Sequence, residues 1–97
     1  MRDPVQEMID RAVEQVNELL PAGAALSNDP GVVLLGPNGS LDSMGFVNLQ
    51  VALEQQLEEK MNLNVVLADF VADTPDLRTL GDLKKLLERI IHQKKQS

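Results

Sequence analysis

The side chains of this 97-residue chain allow little chemistry of their own. There is no cysteine and a single histidine, His92. Disulfides, thiolate metal sites and a cysteine nucleophile are therefore excluded, and no serine has a credible histidine partner. What stands out is a serine preceded by an acid, within Gly39-Ser40-Leu41-Asp42-Ser43-Met44-Gly45-Phe46-Val47. At this point a Gly/Pro/Ser-rich stretch gives way to a helical run that reaches about Met61. The first N–H groups of a helix have no intrahelical acceptors, and the helix dipole favours negative charge beside them. A hydroxyl there can carry a covalently attached anionic group whose charge the helix start stabilises. The plainer reading makes Ser43 the N-cap of that helix.

The residues after Ser43 form two ridges rather than one. Phe46, Leu49, Leu53 and Leu57 fall within about 80° of each other on a helical wheel and make a core face. Met44, Val47 and Val51 fall within about 60° on another side. If the helix packs on one side only, this second ridge is exposed beside Ser43. It serves either as a docking surface or as packing for the long segment before the helix.

The first helix begins with Asp3 as cap, Pro4 at the first helical position and Gln6 where a capping box wants Glu or Gln. Val5, Met8, Ile9, Ala12, Val13, Val16, Leu19 and Leu20 make a core stripe about 140° wide. Pro21 ends it. Residues 21–42 contain Pro21, Gly23, Pro30, Gly31, Gly36, Pro37 and Gly39 and read as a long connection. Leu26 and Val32-Val33-Leu34-Leu35 can pack back onto the core. A short strand at 32–35 competes with that reading, and its one plausible mate lies near 64–67. Ala68 to Ala72 makes at most a short helix, broken by Pro75. Thr79 caps the last helix with Asp82 in the capping-box position, and Leu80, Leu83, Leu86, Leu87, Ile90 and Ile91 form its stripe. The fold class expected is all-α: a four-helix bundle with one short member and a long loop between the first two helices. It is a single domain over residues 1–97 with an ordered core at about 4–91, and the residues beyond Ile91 fray.

The formal charge of −6 is unevenly placed. Residues 1–78 carry thirteen acids and four bases, and residues 79–97 carry two acids and five bases. An acidic body argues against nucleic acid and for basic protein partners. No apolar run is long enough to span a membrane, and the start Met-Arg-Asp-Pro leads straight into an amphipathic pattern. The chain is expected to be cytoplasmic and monomeric. Only two residues are aromatic, so the core must be aliphatic.

Leu41-Asp42-Ser43-Met44 resembles the Asp-Ser-Leu signature of acyl carrier proteins, with Met in the Leu place. Val51-Ala52-Leu53-Glu54 is similar to the family's helix after the modified serine, and Thr79-Leu80-Gly81-Asp82-Leu83 to the start of its last helix. Helix order and loop length match over residues 4–91. The resemblance implies that Ser43, with Asp42 beside it, carries 4'-phosphopantetheine donated by coenzyme A. A separate phosphopantetheinyl transferase, acting with magnesium, would attach it. Acyl groups would ride on its thiol as thioesters and be presented to loading and processing enzymes of fatty-acid, lipid or polyketide-type synthesis. It also implies docking through Met44, Val47, Val51 and Glu54, with no catalytic residue and no metal site of its own. Gly45, Asn48, Gln55 and Gln56 are uncharged where the family usually has acids, which suggests a specialised carrier. The Gly-Gly-x-Ser pattern of peptidyl carriers is absent.

Two other functions compete with this reading. One is an unmodified helical adaptor that binds through the Met44/Val47/Val51 ridge. The weaker is a hydrolase using Ser43, which lacks a glycine-flanked nucleophile turn. The remaining charges have ordinary explanations. Asp69, Asp73 and Asp76 lack calcium-loop spacing and read as solvated acids. Lys84, Lys85, Arg89, Lys94 and Lys95 either touch a membrane or an acidic partner or, as is more common, complement the helix C-terminus and stay solvated. Glu58 and Glu59 are either partner contacts or a polar face.

Overall fold

Asp3 starts the first helix, α1 (Pro4–Leu19), by accepting the Val5 N–H on its Oδ1 at 3.0 Å, with Pro4 in the first turn. Gln6 does not close a capping box. Its amide donates to Asp10 Oδ1 at 2.9 Å, one turn further along. Three more helices follow: α2 (Ser43–Met61), α3 (Leu67–Ala72) and α4 (Leu80–Gln96). The computed structural model describes residues 3–20, 26, 27, 29–34, 39 and 41–96, apart from the side chains of Ser43, Lys95 and Gln96. Among these residues the protein is all-helical, with no strand. The earlier expectations for Pro21, Gly23, Leu35, Gly36 and Pro37 lie outside the described residues.

The core is aliphatic, as the composition requires. Met8, Ile9, Ala12 and Val16 of α1 meet Leu49, Leu53 and Leu57 of α2 and Leu83, Leu87 and Ile90 of α4 in one cluster, each at most 1% exposed. α1 and α2 run antiparallel: Pro4 and Met8 share a cleft with Lys60 and Met61, while Val16 and Leu19 share another with Asn48 and Val51. Lys84 Nζ lies 3.1 Å from Asp3 Oδ2 and ties the starts of α1 and α4 together. Two expectations about helix faces and ends are corrected. Leu19, placed in the α1 core stripe, is 69% exposed and borders a cleft whose α2 side is Asn48, Val51, Ala52 and Gln55. α4 extends past Ile91, where the helix was expected to end, as far as Gln96. Gln and Lys are good helix formers there, and Lys94 complements the dipole.

The long connection is ordered at both described ends. Asn17 holds Leu26 from α1: its Nδ2 donates to the Leu26 carbonyl at 2.9 Å and its Oδ1 accepts the Leu26 N–H at 2.6 Å. Leu26, Leu34 and Leu41 are then buried in the core. Further on, Val33 bridges antiparallel to Thr79, with Leu34 N–H to Arg78 O at 2.7 Å and Leu80 N–H to Val32 O at 2.9 Å. This replaces the mate expected near 64–67. The reason lies in α4, whose first N–H groups need acceptors that the helix itself lacks. Val32 O serves Leu80, and Pro30 O serves Gly81 at 2.9 Å. Gly81 permits the approach, since a Cβ there would sit 3.1 Å from Pro30 O. Residues 62–66 are used otherwise. Asn62 takes the left-handed conformation (φ 55°) and ends α2, with Leu63 N–H bonded to Leu57 O at 3.2 Å.

Thr79 and Asp82 form the expected capping box. Thr79 Oγ1 accepts the Asp82 N–H, and Asp82 Oδ2 accepts the N–H groups of Thr79 and Arg78, each at 3.1 Å. Hydrogen bonds from the Thr79 and Arg78 amides hold the Asp82 carboxyl below its ordinary value of 3.8. A carboxyl depressed in the folded state stabilises the fold above its unfolded pKa and stops doing so as pH falls through the folded value. Asp82→Asn should therefore lower the urea midpoint at pH 7, and the gap to wild type should close as pH falls from 3.8 through the depressed folded-state value when unfolding is followed across pH.

Among the described residues one buried side-chain polar atom is unsatisfied. Gln56 is 4% exposed and its Oε1 has no hydrogen-bond partner. An unpaired buried carbonyl costs about 1–3 kcal/mol. Gln56→Met, which keeps the volume and removes that carbonyl, should raise stability by about 1 kcal/mol in urea unfolding.

Candidate functional site

The start of α2 is fixed by two neighbours of Ser43. Leu41 is 7% exposed and donates its N–H to Leu34 O at 3.1 Å, which brings the chain from the long connection up to the helix. Asp42 is extended (φ −80°, ψ −179°) and is the N-cap: its Oδ1 accepts the Gly45 N–H at 2.7 Å, and its carbonyl accepts the Phe46 N–H at 3.0 Å. The reading of Ser43 as N-cap is thereby corrected. The carboxylate of Asp42 does that work, and Ser43 is the first helical residue. The Ser43 hydroxyl lies outside the described residues.

Gly45 is buried and closely approached. A Cβ there would be 3.2 Å from both Asp42 Oδ1 and Leu41 Cδ2. The local cost of glycine in a helix, about 1 kcal/mol, is the counterpart of a tight cap. An acidic side chain at Gly45 would press on the capping carboxylate, and one at Gln56 would be buried in the core. Two of the four positions where acyl carriers usually have acids are thus closed to charge by packing. Asn48 is half-buried, and only Gln55 is exposed.

The second ridge of α2 is open to solvent. Met44, Val47 and Val51 are 67%, 49% and 45% exposed, so the alternative in which they pack against the long connection is set aside. Glu54 has a different surrounding from the one expected of a docking charge. It is half-buried, and its Oε2 accepts the Leu67 N–H at 2.8 Å. The N-cap residue of α3, Val66, makes no side-chain cap bond, so Glu54 caps that short helix from thirteen residues away. This job was not legible beforehand, because it depends on where α3 crosses α2. Glu58 and Glu59 are exposed near the far end of α2. Two large apolar residues outside the ridge are also exposed, Leu19 and Val66 at 69% and 60%.

The other charged residues stay apart from this region in role. Asp69, Asp73 and Asp76 are exposed, and among the described residues no group of three His, Asp or Glu could hold a metal ion. Lys85, Arg89 and His92 are exposed on α4, with Arg89 Nη2 donating to Thr74 Oγ1 at 3.3 Å. Among the described residues no helix is long and apolar enough to cross a membrane. Neither a family model nor a curated protein nor a solved structure matches the chain.

If Glu54 acts as the cap of α3, the amide variant Glu54→Gln should keep the bond through its side-chain carbonyl. Hydrogen exchange at Leu67 should then stay slow in Glu54→Gln and accelerate in Glu54→Ala by about tenfold, the equivalent of a lost cap.

Proposed function

We propose that this protein is an acyl carrier, with 4'-phosphopantetheine esterified to Ser43 and acyl groups presented to partner enzymes from there. The observation that carries the reading is the division of labour at the start of α2. Asp42 supplies the cap, and the serine next to it is the first helical residue, at the position where a helix best tolerates an attached anion. The donors available suit a phosphodiester. By helix geometry the N–H groups of Ser43 and Met44 have no intrahelical acceptor, while Asp42 Oδ1 is turned onto the Gly45 N–H. When attached, the arm supplies the terminal thiol for thioester chemistry, which this cysteine-free chain lacks. The chain itself contributes attachment and presentation, not catalysis. The donor would be coenzyme A, acting through a separate phosphopantetheinyl transferase. The exposed ridge of Met44, Val47 and Val51 lies within three turns of Ser43 and supports docking of that transferase and of acyl-loading and acyl-processing enzymes.

Incubation with coenzyme A, magnesium and a broad-specificity phosphopantetheinyl transferase, followed by intact-mass measurement, tests the proposal. Wild type should gain one phosphopantetheinyl group and Ser43→Ala none. No gain in wild type, under conditions that modify a control carrier, would reject it and leave the unmodified adaptor that binds through the same ridge.

A further inference from the structure

The surface around the α2 ridge carries almost no usable charge, although the chain is acidic overall. Between residues 43 and 57 the only ionisable side chain is Glu54, and its carboxylate is engaged with the Leu67 N–H. Beside the ridge lies a cleft of about 180 Å³ between α1 and α2. It is lined by Gln15, Leu19, Asn48, Val51 and Gln55, above Val16 and Ala52, and none of these is charged. Val51 belongs to both features, so exposed apolar surface runs from Met44 through Val47 and Val51 across to Leu19 on α1. Charged residues border this path without entering it. Glu18 precedes Leu19 but points 100° away around α1, and the exposed Glu58 and Glu59 follow the cleft residue Gln55 by three and four positions, about 5 Å along α2.

We infer that partner proteins dock on this chain through an apolar, uncharged face that seats a side chain in the α1/α2 cleft against Leu19 and Val51. The inference rests on the carrier reading and specifies the partner. A partner presenting Lys or Arg to the cleft would desolvate its charge against amides and methyl groups, with no carboxylate among the lining residues to pair with it. A partner presenting Leu, Met or Phe would bury Leu19, Val47 and Val51, while Gln15, Asn48 and Gln55 could accept or donate neutral hydrogen bonds at the rim. The cleft is close in size to a cavity that holds one benzene ring. Association of this kind depends little on ionic strength, whereas association steered by opposite charges weakens as salt shortens the Debye length from about 10 Å at 0.1 M to a few ångströms at 1 M.

The test measures KM for the carrier in phosphopantetheinyl transfer, by intact mass, from 50 to 500 mM NaCl. Wild type is compared with Leu19→Ser and Val51→Ser. Both positions are exposed, and unchanged melting temperatures would exclude misfolding as the cause of any effect. The expected result is a wild-type KM constant within about twofold across the salt range, and an increase of about fivefold or more in each variant at fixed kcat. A KM that climbs about tenfold or more with salt, with both variants within twofold of wild type, would overturn the uncharged surface while leaving the carrier reading intact. Absence of transfer at every salt and protein concentration would overturn the carrier reading itself.

Discussion

Five consecutive backbone N–H groups, those of residues 78–82, decide how the long connection folds. A helix start presents donors that the helix cannot satisfy, and leaving them unpaired in a core of Leu and Ile would be costly. Here each finds an acceptor. Asp82 takes those of Arg78 and Thr79, the carbonyls of Val32 and Pro30 take those of Leu80 and Gly81, and Thr79 Oγ1 takes that of Asp82. The middle of the connection is thereby tied to the last helix. From that anchor Leu34 enters the core, and its carbonyl receives Leu41 just ahead of α2. The position of Ser43 follows from satisfying donors that belong to a helix nearly forty residues away.

The same rule operates twice more with different partners. Asp42 caps α2 locally, and Glu54 caps α3 across the gap between two helices. Each cap uses up a carboxylate, and the two residues that do so are the acids nearest the exposed ridge. The acidity of the chain is therefore a poor guide to the face beside Ser43. The two carboxylates there each hold a backbone N–H, while packing leaves no room for a charged side chain at Gly45 or Gln56. What is exposed along the ridge is the methyl and thioether surface of Met44, Val47 and Val51.

Much of the architecture was legible from residue spacing. The stripes of α1 and α4, the two ridges of α2, the capping box at Thr79 and Asp82 and the brevity of α3 all follow from local pattern, and they appear as expected. The faults have a common origin in contacts between segments distant in the chain. Leu19 fits its stripe, but α2 meets it across an open cleft with Asn48, Val51, Ala52 and Gln55 and does not cover it. Leu34 found Arg78 rather than a residue near 64–67, because a helix start nearby needed carbonyls.

For the candidate site the sequence alone determined the serine, its acidic neighbour and the exposed apolar spacing behind them. These depend on identity and helical period, which any reading of the chain contains. Which acid caps which helix was decided by the tertiary structure alone. A hydrogen bond such as that from Leu67 to Glu54 requires two elements to be brought within 3 Å, and only packing sets that distance. The same packing leaves Leu19 at the edge of a cleft beside Val51, although its local pattern marks it as a core residue.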